Sequence, residues 1–304
     1  MAKIDNPTSN IPGQLTGLHL FHFDGAPCAQ RVRFALGEKG LSRGREVRFD
    51  STLPADIEGQ SEQWVSRMVS LVKKDHMTEA YLAIHPNMVG PALVHDGQLY
   101  LESLDIISYL DDAFGGARLI PDNETKTEVL ALTQEAKVLH RSIRFVTFHW
   151  GLGRLAMLNK KEREQLSQLA KQGADDENLV EFYDGYSTNT ISEDIYIQHL
   201  EALFSAFVRL NKTLQDDRKY LVGGDVIIAD AFWSMKVLRL TECGYPQAEP
   251  HPDLYQWYLR VSARPSFQNE VMGKNRLTHR LFKGNAAIEG LLGIGLKQAV
   301  ARVA

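Results

Sequence analysis

The chain has 304 residues, which is long enough for two domains with separate cores, and its 44% hydrophobic and 24% charged residues are typical of a globular protein. The net charge of −4 is small and argues against a dedicated nucleic-acid-binding surface. With only two cysteines, the chain is not a disulfide scaffold, and this sparing use favours a reducing compartment.

The N-terminal 16 residues are polar and interrupted by proline and glycine, so we expect a flexible extension and not a signal peptide. No run of the chain reaches the roughly 18 apolar residues that a bilayer-spanning helix needs. These two observations predict a cytoplasmic protein with no transmembrane segment.

The next region predicts a strand, a helix and a strand. Leu18–Phe23 is rich in aromatic and aliphatic residues, which favours a strand. Cys28–Lys39 carries apolar residues at helical spacing and precedes Gly40, a residue type common just after a helix. Arg45–Asp50 predicts a second short strand, so this region opens a βαβ unit.

Residues 51–75 form an unusually long connection at this point. Within it, Trp64, Met68 and Leu71 recur at helical spacing behind Ser61, a residue type that caps helices. We therefore expect a helix over 61–74.

A hairpin and a further helix complete the first half of the chain. Short apolar runs flank Asp96-Gly97, a pair that favours tight hairpin turns. A helix is then predicted from Ser103 to the Gly115-Gly116 pair. The order of elements predicts a small α/β domain with a mixed sheet over residues 17–116.

From Pro121 the pattern becomes almost purely helical, which predicts an all-helical domain over residues 120–273. One long helix is expected over Val129–Trp150, because its apolar residues recur at three- and four-residue steps. Further helices are predicted at Glu193–Leu214, Ala229–Gly244 and Asp253–Phe267, the last interrupted by Pro265. A polar insertion occupies about 159–190, and residues 274–304 form a tail, which we expect to pack against the body of the protein.

Two features of the first domain could bind a ligand. Pro91 opens a strand, and a cis bond after Gly90 would leave the backbone of Gly90 free to pair with an extended peptide, although a simple strand-entry proline is the alternative. Ser103 begins a helix whose N–H groups suit a carboxylate, and Glu102 could accept hydrogen bonds from an ammonium group. Side by side, these groups would suit the head of an α-amino acid, but taken in isolation the two residues favour a capped helix beside a solvated glutamate.

In combination, these segments resemble the glutathione transferase superfamily of cytosolic type. The resemblance rests on Pro27–Leu41, His85–Leu93 and Leu101–Leu110, and it continues in Tyr220–Trp233 and Trp257–Phe267. It implies a thioredoxin-like α/β domain that binds glutathione, followed by an all-α domain that lines the acceptor site. It also implies a homodimer.

The resemblance implies roles for individual residues. Pro91 would be the cis-proline, and the backbone of Gly90 would pair with the cysteinyl part of glutathione, while Glu102 and Ser103 would hold its γ-glutamyl end. Asp230 would belong to the segment that nucleates a helix. The chain departs from the family there, because Ile227 replaces the usual Ser or Thr.

The position that most often carries a thiol or hydroxyl group in the family aligns with Ala26, whose side chain cannot donate a hydrogen bond. Cys28, two residues further on, is therefore the candidate catalytic residue. Three interpretations stay open. Cys28 could be a thiolate, favoured by the helix N-terminus, that forms a mixed disulfide with glutathione. Alternatively, N–H groups of the turn could stabilise the thiolate of glutathione with Cys28 as a neighbour. Finally, Cys28 could only fill space in the core.

The helical half offers acceptor-site candidates in Arg144, Phe148 and His149, which lie off the buried stripe of their helix. A mixed aromatic and cationic wall would suit an aromatic or anionic electrophile, and an ordinary solvated face is the alternative. The histidines and cysteines show no ligand spacing, so no metal is expected.

Three functions are consistent with the resemblance. The first is an enzyme that uses the thiolate of bound glutathione to attack a hydrophobic or aromatic electrophile, by conjugation or by ether cleavage of lyase type. The second is a glutathione-dependent thiol–disulfide oxidoreductase that uses Cys28. The third is a non-catalytic binding or scaffold module.

Overall fold

The computed structural model describes residues 3–5, 7–51, 62–175, 178–216 and 218–304. The chain divides into two compact units. The first comprises Met1–Gly116 and Ala156–Thr190, and the second comprises Ala117–Leu155 and Ile191–Ala304. The first unit is therefore built from two separate stretches of the chain.

The described residues contain six strands, all in the first unit: β1 (Lys3–Ile4), β2 (Leu18–His22), β3 (Ser42–Arg48), β4 (Gln63–Met68), β5 (Ala92–His95) and β6 (Gln98–Tyr100). They also contain these α-helices: α1 (Pro27–Glu38), α2 (Glu79–Leu82), α3 (Ser103–Ala113), α4 (Lys126–Val138), α5 (His140–Trp150), α6 (Lys160–Gln172), α7 (Leu179–Ser187), α8 (Glu193–Thr213), α9 (Ile228–Glu242), α10 (Pro252–Ser262), α11 (Pro265–Phe267), α12 (Arg276–Leu291) and α13 (Leu296–Val303).

The strands form one mixed sheet in the order β1-β6-β5-β2-β4-β3. The central strand β2 runs parallel to β4 and antiparallel to β5. This confirms the predicted fold class, an α/β domain with a mixed sheet followed by an all-helical half. The predicted hairpin is also present, with positive φ angles at both Asp96 and Gly97.

The ends of α1 follow from its sequence. Pro27 occupies the first helical turn, where its missing N–H costs nothing. At the other end Gly40 has φ +77°, the N–H of Leu41 donates to the carbonyl of Leu36 at 2.9 Å, and the N–H of Gly40 donates to that of Gly37. These bonds form a Schellman motif, and the helix ends just before Gly40, as predicted.

The helix expected over 61–74 is wrong. Residues 63–68 form β4, which lies between β2 and β3 in the sheet, and residue 61 lies outside the described residues. Residues 64–67 are all buried, so the strand lacks the alternation of apolar and polar residues that marks a half-exposed strand. A fully buried strand cannot be distinguished from a buried helix by periodicity alone.

The insertion expected within the helical domain packs instead in the first unit. Its helices α6 and α7 contribute Leu166, Leu169 and Val180 to an apolar cluster with Met77 and Met88. The amide side chain of Gln165 also donates to the carbonyl of Met77 at 2.8 Å. Although its exposed surface is polar, this segment thus covers the apolar side chains of Met77 and Met88.

The regular structure of the second unit is helical, since its described residues form no strand. The single long helix expected over Val129–Trp150 is wrong, because the chain forms α4 and α5 with a break at Leu139, whose ψ of +4° leaves the helical range. The other predicted helices are present as α8, α9 and α10, and the chain breaks before Pro265 as expected. Among the residues described, no helix is long and apolar enough to cross a membrane.

Asp230 organises the start of α9. Its carboxylate accepts hydrogen bonds from the backbone N–H groups of Ile227 and Leu221, at 2.9 and 3.1 Å, and from the indole N–H of Trp257 at 2.7 Å. The side chain of Ile227 has no oxygen that could accept a backbone N–H in return, so only one of the two hydrogen bonds of a capping box is present. The carboxylate, not a hydroxyl cap, therefore joins this helix start to α10.

Candidate functional site

The segments that carry the candidate ligand-binding residues meet at one end of the sheet. Phe21 at the end of β2 pairs with Ala92 at the start of β5, and Leu93 pairs with Tyr100 at the end of β6. The turn before α1, the Gly90–Pro91 bond and the start of α3 therefore lie at the same end of the sheet. The sheet topology therefore brings together residues as far apart in the sequence as Cys28 and Ser103.

The peptide bond between Gly90 and Pro91 is cis, the conformation that the family resemblance implies. The hydroxyl of the buried Tyr81 donates to the carbonyl of Val89 at 2.8 Å and holds the chain just before this bond. Burial raises the pKa of Tyr81 well above its usual value, so the hydroxyl keeps its proton and remains a donor.

Ser103 and Glu102 stand at the start of α3. Ser103 is buried in the first helical turn, and Glu102, which is half-buried, precedes it with φ +63°. The first N–H groups of any helix lack intrahelical partners and carry partial positive charge. The start of α3 at Ser103 can therefore bind an anion, and we call this position the anion seat. The carboxylate of Glu102 lies next to it.

Arg31 connects this seat to Cys28. Its Nε donates to Oγ of Ser103 at 2.9 Å, and its Nη2 donates to Sγ of Cys28 at 3.2 Å. Cys28 is half-buried in the first turn of α1. One buried guanidinium thus contacts both the candidate thiol and the candidate carboxylate seat.

Sequence reasoning missed Arg31. The available signal was its spacing of three residues from Cys28, which places both side chains on one face of α1. The contact with Ser103 joins residues 72 positions apart and depends on the packing of α1 against α3.

An ion pair joins the same two helices at their far ends. Nζ of Lys39 lies 3.1 Å from Oδ1 of Asp111, and both side chains are almost completely buried. Together with the contact of Arg31 with Ser103, this pair holds α1 and α3 at two points. The relative position of Cys28 and Ser103 is therefore well determined.

His22 is part of the framework. It is fully buried, and one ring nitrogen lies 2.9 Å from Oγ of Ser66 in β4. Burial, followed by the nearby charges of Arg33 and Arg43, lowers the pKa of His22 well below 6.5. A neutral, enclosed imidazole bonded to the neighbouring strand suits a structural role.

The acceptor-site candidates lie in the second unit, on α5. Arg144 and Phe148 are half-buried, and His149 is exposed with its ring stacked on Tyr196 of α8 at 4.0 Å between centroids. Desolvation lowers the pKa of His149 below 6.5. Tyr196 was not anticipated, since nothing in the sequence relates α5 to α8. The acceptor role of these residues remains a prediction.

The described residues hold no cluster of three or more histidine, cysteine, aspartate or glutamate side chains arranged for a metal ion.

Comparison with known proteins identifies the family. Residues 20–118 match the glutathione S-transferase N-terminal domain, and residues 154–265 match the glutathione S-transferase C-terminal domain. Together these matches cover more than half of the chain. The chain belongs to the glutathione S-transferase superfamily.

Individual relatives are distant. Glutathione S-transferase 1 from Dianthus caryophyllus is 28% identical over 233 residues, which cover 76% of this chain and 81% of the relative. The beta-etherase LigF from Sphingobium sp. strain SYK-6 shares the fold at 20% identity with a TM-score of 0.66, covering 84% and 98% of the two chains. A theta-class glutathione S-transferase from Xanthomonas axonopodis pv. citri, with glutathione bound, shares it at 18% identity with a TM-score of 0.56, covering 85% and 98%.

Proposed function

We propose that the protein is a glutathione-dependent transferase in which the thiolate of bound glutathione attacks a hydrophobic or aromatic electrophile. Family membership supports the use of glutathione. Within this chain, the proposal rests on the contacts of Arg31 with both Cys28 and Ser103. These contacts lie at the same end of the sheet as Gly90 and Pro91.

The residues present suit glutathione chemically. The anion seat at the start of α3, with Arg31 behind Ser103, matches the γ-glutamyl carboxylate, and Glu102 matches the neighbouring ammonium group. The backbone at Gly90 and Pro91 would pair with the cysteinyl part. When bound, glutathione supplies the sulfur nucleophile of the reaction.

The protein also has to stabilise the negative charge on this sulfur and hold the acceptor near it. Arg31 places a positive charge and an N–H donor at the start of α1, where the N-terminal N–H groups of the helix add partial positive charge. These groups would stabilise negative charge on a sulfur atom in the turn. Arg144, Phe148 and His149 would then supply an aromatic and cationic wall for the acceptor.

Ether cleavage is one form that this chemistry could take. The thiolate of glutathione forms a carbon–sulfur bond to the carbon of an activated ether while the carbon–oxygen bond breaks, and the departing alkoxide takes a proton from water and leaves as an alcohol. The fold similarity to a beta-etherase makes ethers a suitable first class of substrates to test.

A second candidate, thiol–disulfide exchange, is favoured by the contact of Arg31 with Cys28. In that reaction the Cys28 thiolate would attack the glutathionyl sulfur of a mixed disulfide and release the substrate as a thiol. A second glutathione would then attack the new bond and leave as glutathione disulfide.

One spectroscopic experiment separates these functions. The ultraviolet thiolate band is recorded across pH, with and without glutathione, in the wild-type protein and in Cys28→Ser. Burial raises the pKa of Cys243 to about 12, so the other cysteine contributes no band near neutral pH.

For the transferase we expect a band that appears only with glutathione and survives in Cys28→Ser, together with retained conjugation of a model aryl halide. A band that is present without glutathione and lost in Cys28→Ser, with loss of disulfide reduction, would establish the oxidoreductase instead. Absence of any thiolate and of both activities would leave a non-catalytic module.

A further inference from the structure

The outer face of α12 and the turn after it expose an unusual concentration of aliphatic side chains. Leu277 is 71% exposed, Leu291 is 89% exposed, and four more large aliphatic side chains between them and just beyond are at least half exposed: Leu281, Ile288, Leu292 and Ile294. Soluble monomers rarely leave such a contiguous apolar surface uncovered, and it marks an interaction site.

These side chains form one stripe. Residues 277, 281, 288 and 291 follow steps of four, seven and three, which keep them on one side of an α-helix, and Gly284 fills the gap in the series. Leu292 and Ile294 extend the stripe into the following turn. The surface is convex, since it consists of side chains projecting from a helix and a turn.

The opposite face of α12 is firmly anchored. The buried His279 bonds to Glu242 of α9, and Glu242 in turn accepts from Arg239 at 3.0 Å. The guanidinium of Arg239 also lies 4.8 Å from the ring centroid of Phe282. The helix therefore presents its apolar stripe from a fixed orientation.

Positive charge borders the stripe. Arg276, Arg280 and Lys283 are exposed along one side of it. Residues 274–304 contain six lysine and arginine residues and a single acid, Glu289, within a chain whose net charge is −4. This segment thus has the opposite charge sign to the rest of the protein.

We propose that this surface, which we call the α12 stripe, docks on membranes that contain anionic lipid. Apolar side chains on one helix face with flanking arginine and lysine are the pattern by which helices lie in the interfacial layer of such membranes. The aliphatic groups enter the boundary of the acyl chains, and the cations contact lipid phosphates.

Charge argues against the alternative of a second copy of this chain. Pairing two α12 stripes would bring no carboxylate to Arg276, Arg280 and Lys283, because the one acid of the segment, Glu289, is half-buried. A convex stripe with long, mobile cations also suits a diffuse layer of phosphates better than fixed carboxylates of a protein groove.

The test is co-sedimentation of the full-length protein with vesicles of phosphatidylcholine alone and of phosphatidylcholine mixed with phosphatidylglycerol. We expect binding to the mixed vesicles only, weakened by added salt. The variant Leu277→Gln/Leu281→Gln/Ile288→Gln should bind more than about tenfold more weakly, since three side chains lose their burial in lipid. Because all three are exposed, the fold should be retained, which circular dichroism checks.

A matched variant, Val138→Gln/Leu155→Gln/Val208→Gln, replaces three other exposed aliphatic residues of the described chain and should bind as the wild type does. The variant Arg276→Gln/Arg280→Gln/Lys283→Gln should lose the preference for phosphatidylglycerol.

Absence of vesicle binding, or equal weakening in the matched variant, would overturn the proposal. So would self-association in analytical ultracentrifugation that the leucine variant abolishes, since the stripe would then bind a second copy.

Discussion

Arg31 is the residue on which the candidate site most depends, because its guanidinium contacts both Cys28 and Ser103. Neither partner alone predicts it. Cys28 stands out in the sequence as a thiol at a helix start, and Ser103 as a cap, but the guanidinium between them becomes visible only when α1 packs against α3. Side chains on one helix can be predicted from spacing, whereas a contact across 72 residues needs the fold.

Replacement of Arg31 tests this role. We expect Arg31→Leu to raise the KM for glutathione by about ten- to a hundredfold, since hydrogen bonds to a charged group are worth about 1.5–3 kcal/mol. Arg31→Lys should restore only part of the affinity, because an ammonium group cannot bridge two partners as a guanidinium does.

Steady-state kinetics with glutathione as the varied substrate measures the effect. Arg302→Leu, which removes an exposed arginine paired with Glu193 on the surface, is the control and should leave KM unchanged. An unchanged KM in Arg31→Leu would show that the guanidinium only supports the packing of α1.

Asp230 makes a pH-dependent contribution to stability. Burial raises its pKa from 3.8 to about 6, against the opposing effect of its three hydrogen-bond donors. The folded state therefore holds this proton more tightly than the unfolded state, and the contribution of Asp230 falls as pH rises from about 4 to about 6.

Comparison with Asp230→Asn isolates this contribution. The free energy of unfolding of the wild type, relative to the variant, should decrease by about 2 kcal/mol between pH 4 and pH 7. Urea denaturation at the two pH values measures it. A constant difference would mean that the three donors keep the carboxylate ionised in the folded state throughout.

At the scale of elements, the sequence predicts those whose periodicity and end residues agree. Both ends of α1, the hairpin at Asp96-Gly97 and helix α8 follow from local rules. β4 does not, since burial on both faces removes its alternation, and the break at Leu139 has no proline or glycine to signal it.

Helices α6 and α7 brace the chain that leads to Gly90 and Pro91. Gly173, which follows α6, lies so close to this chain that an added Cβ would be 2.3 Å from the carbonyl oxygen of Pro86 and 2.6 Å from Cδ1 of Leu82. The N–H of Ala174 also donates to that carbonyl at 3.0 Å. Only glycine permits this approach.

Gly173→Ala should therefore lower the free energy of unfolding by about 1–3 kcal/mol and raise the KM for glutathione. The matched substitution Gly115→Ala, where an added Cβ meets nothing within 4 Å, should change neither quantity appreciably. Thermal unfolding and steady-state kinetics provide the measurements. If Gly173→Ala lowers stability alone, α6 supports the fold without positioning the loop.

At the scale of the molecule, the two units do not coincide with two halves of the chain. Met77 and Met88 of the first unit are buried against Leu158, Leu166 and Leu169, which come from the later stretch. Composition and the periodicity of apolar residues locate the change to helical sequence near residue 116. They cannot show that residues 156–190 return to the first unit. That assignment depends on contacts across about 80 residues.

Residues 1–116 expressed alone should consequently expose this apolar cluster. We expect stronger binding of a hydrophobic dye and a lower urea midpoint than for a chain in which residues 156–190 are joined to them by a flexible linker, because the cluster is then covered. Equal midpoints for the two chains would show that residues 1–116 form a complete folding unit.

The discontinuous first unit also has a consequence for synthesis on the ribosome. Residues 1–116 emerge before the segment that covers Met77 and Met88, and at the usual ~5–20 residues per second the delay is on the order of ten seconds. During that interval Met77 and Met88 remain uncovered by Leu158, Leu166 and Leu169, and exposed apolar side chains of this kind are what molecular chaperones bind. The demand of this protein for chaperones should therefore be set by the speed at which residues 117–190 are translated.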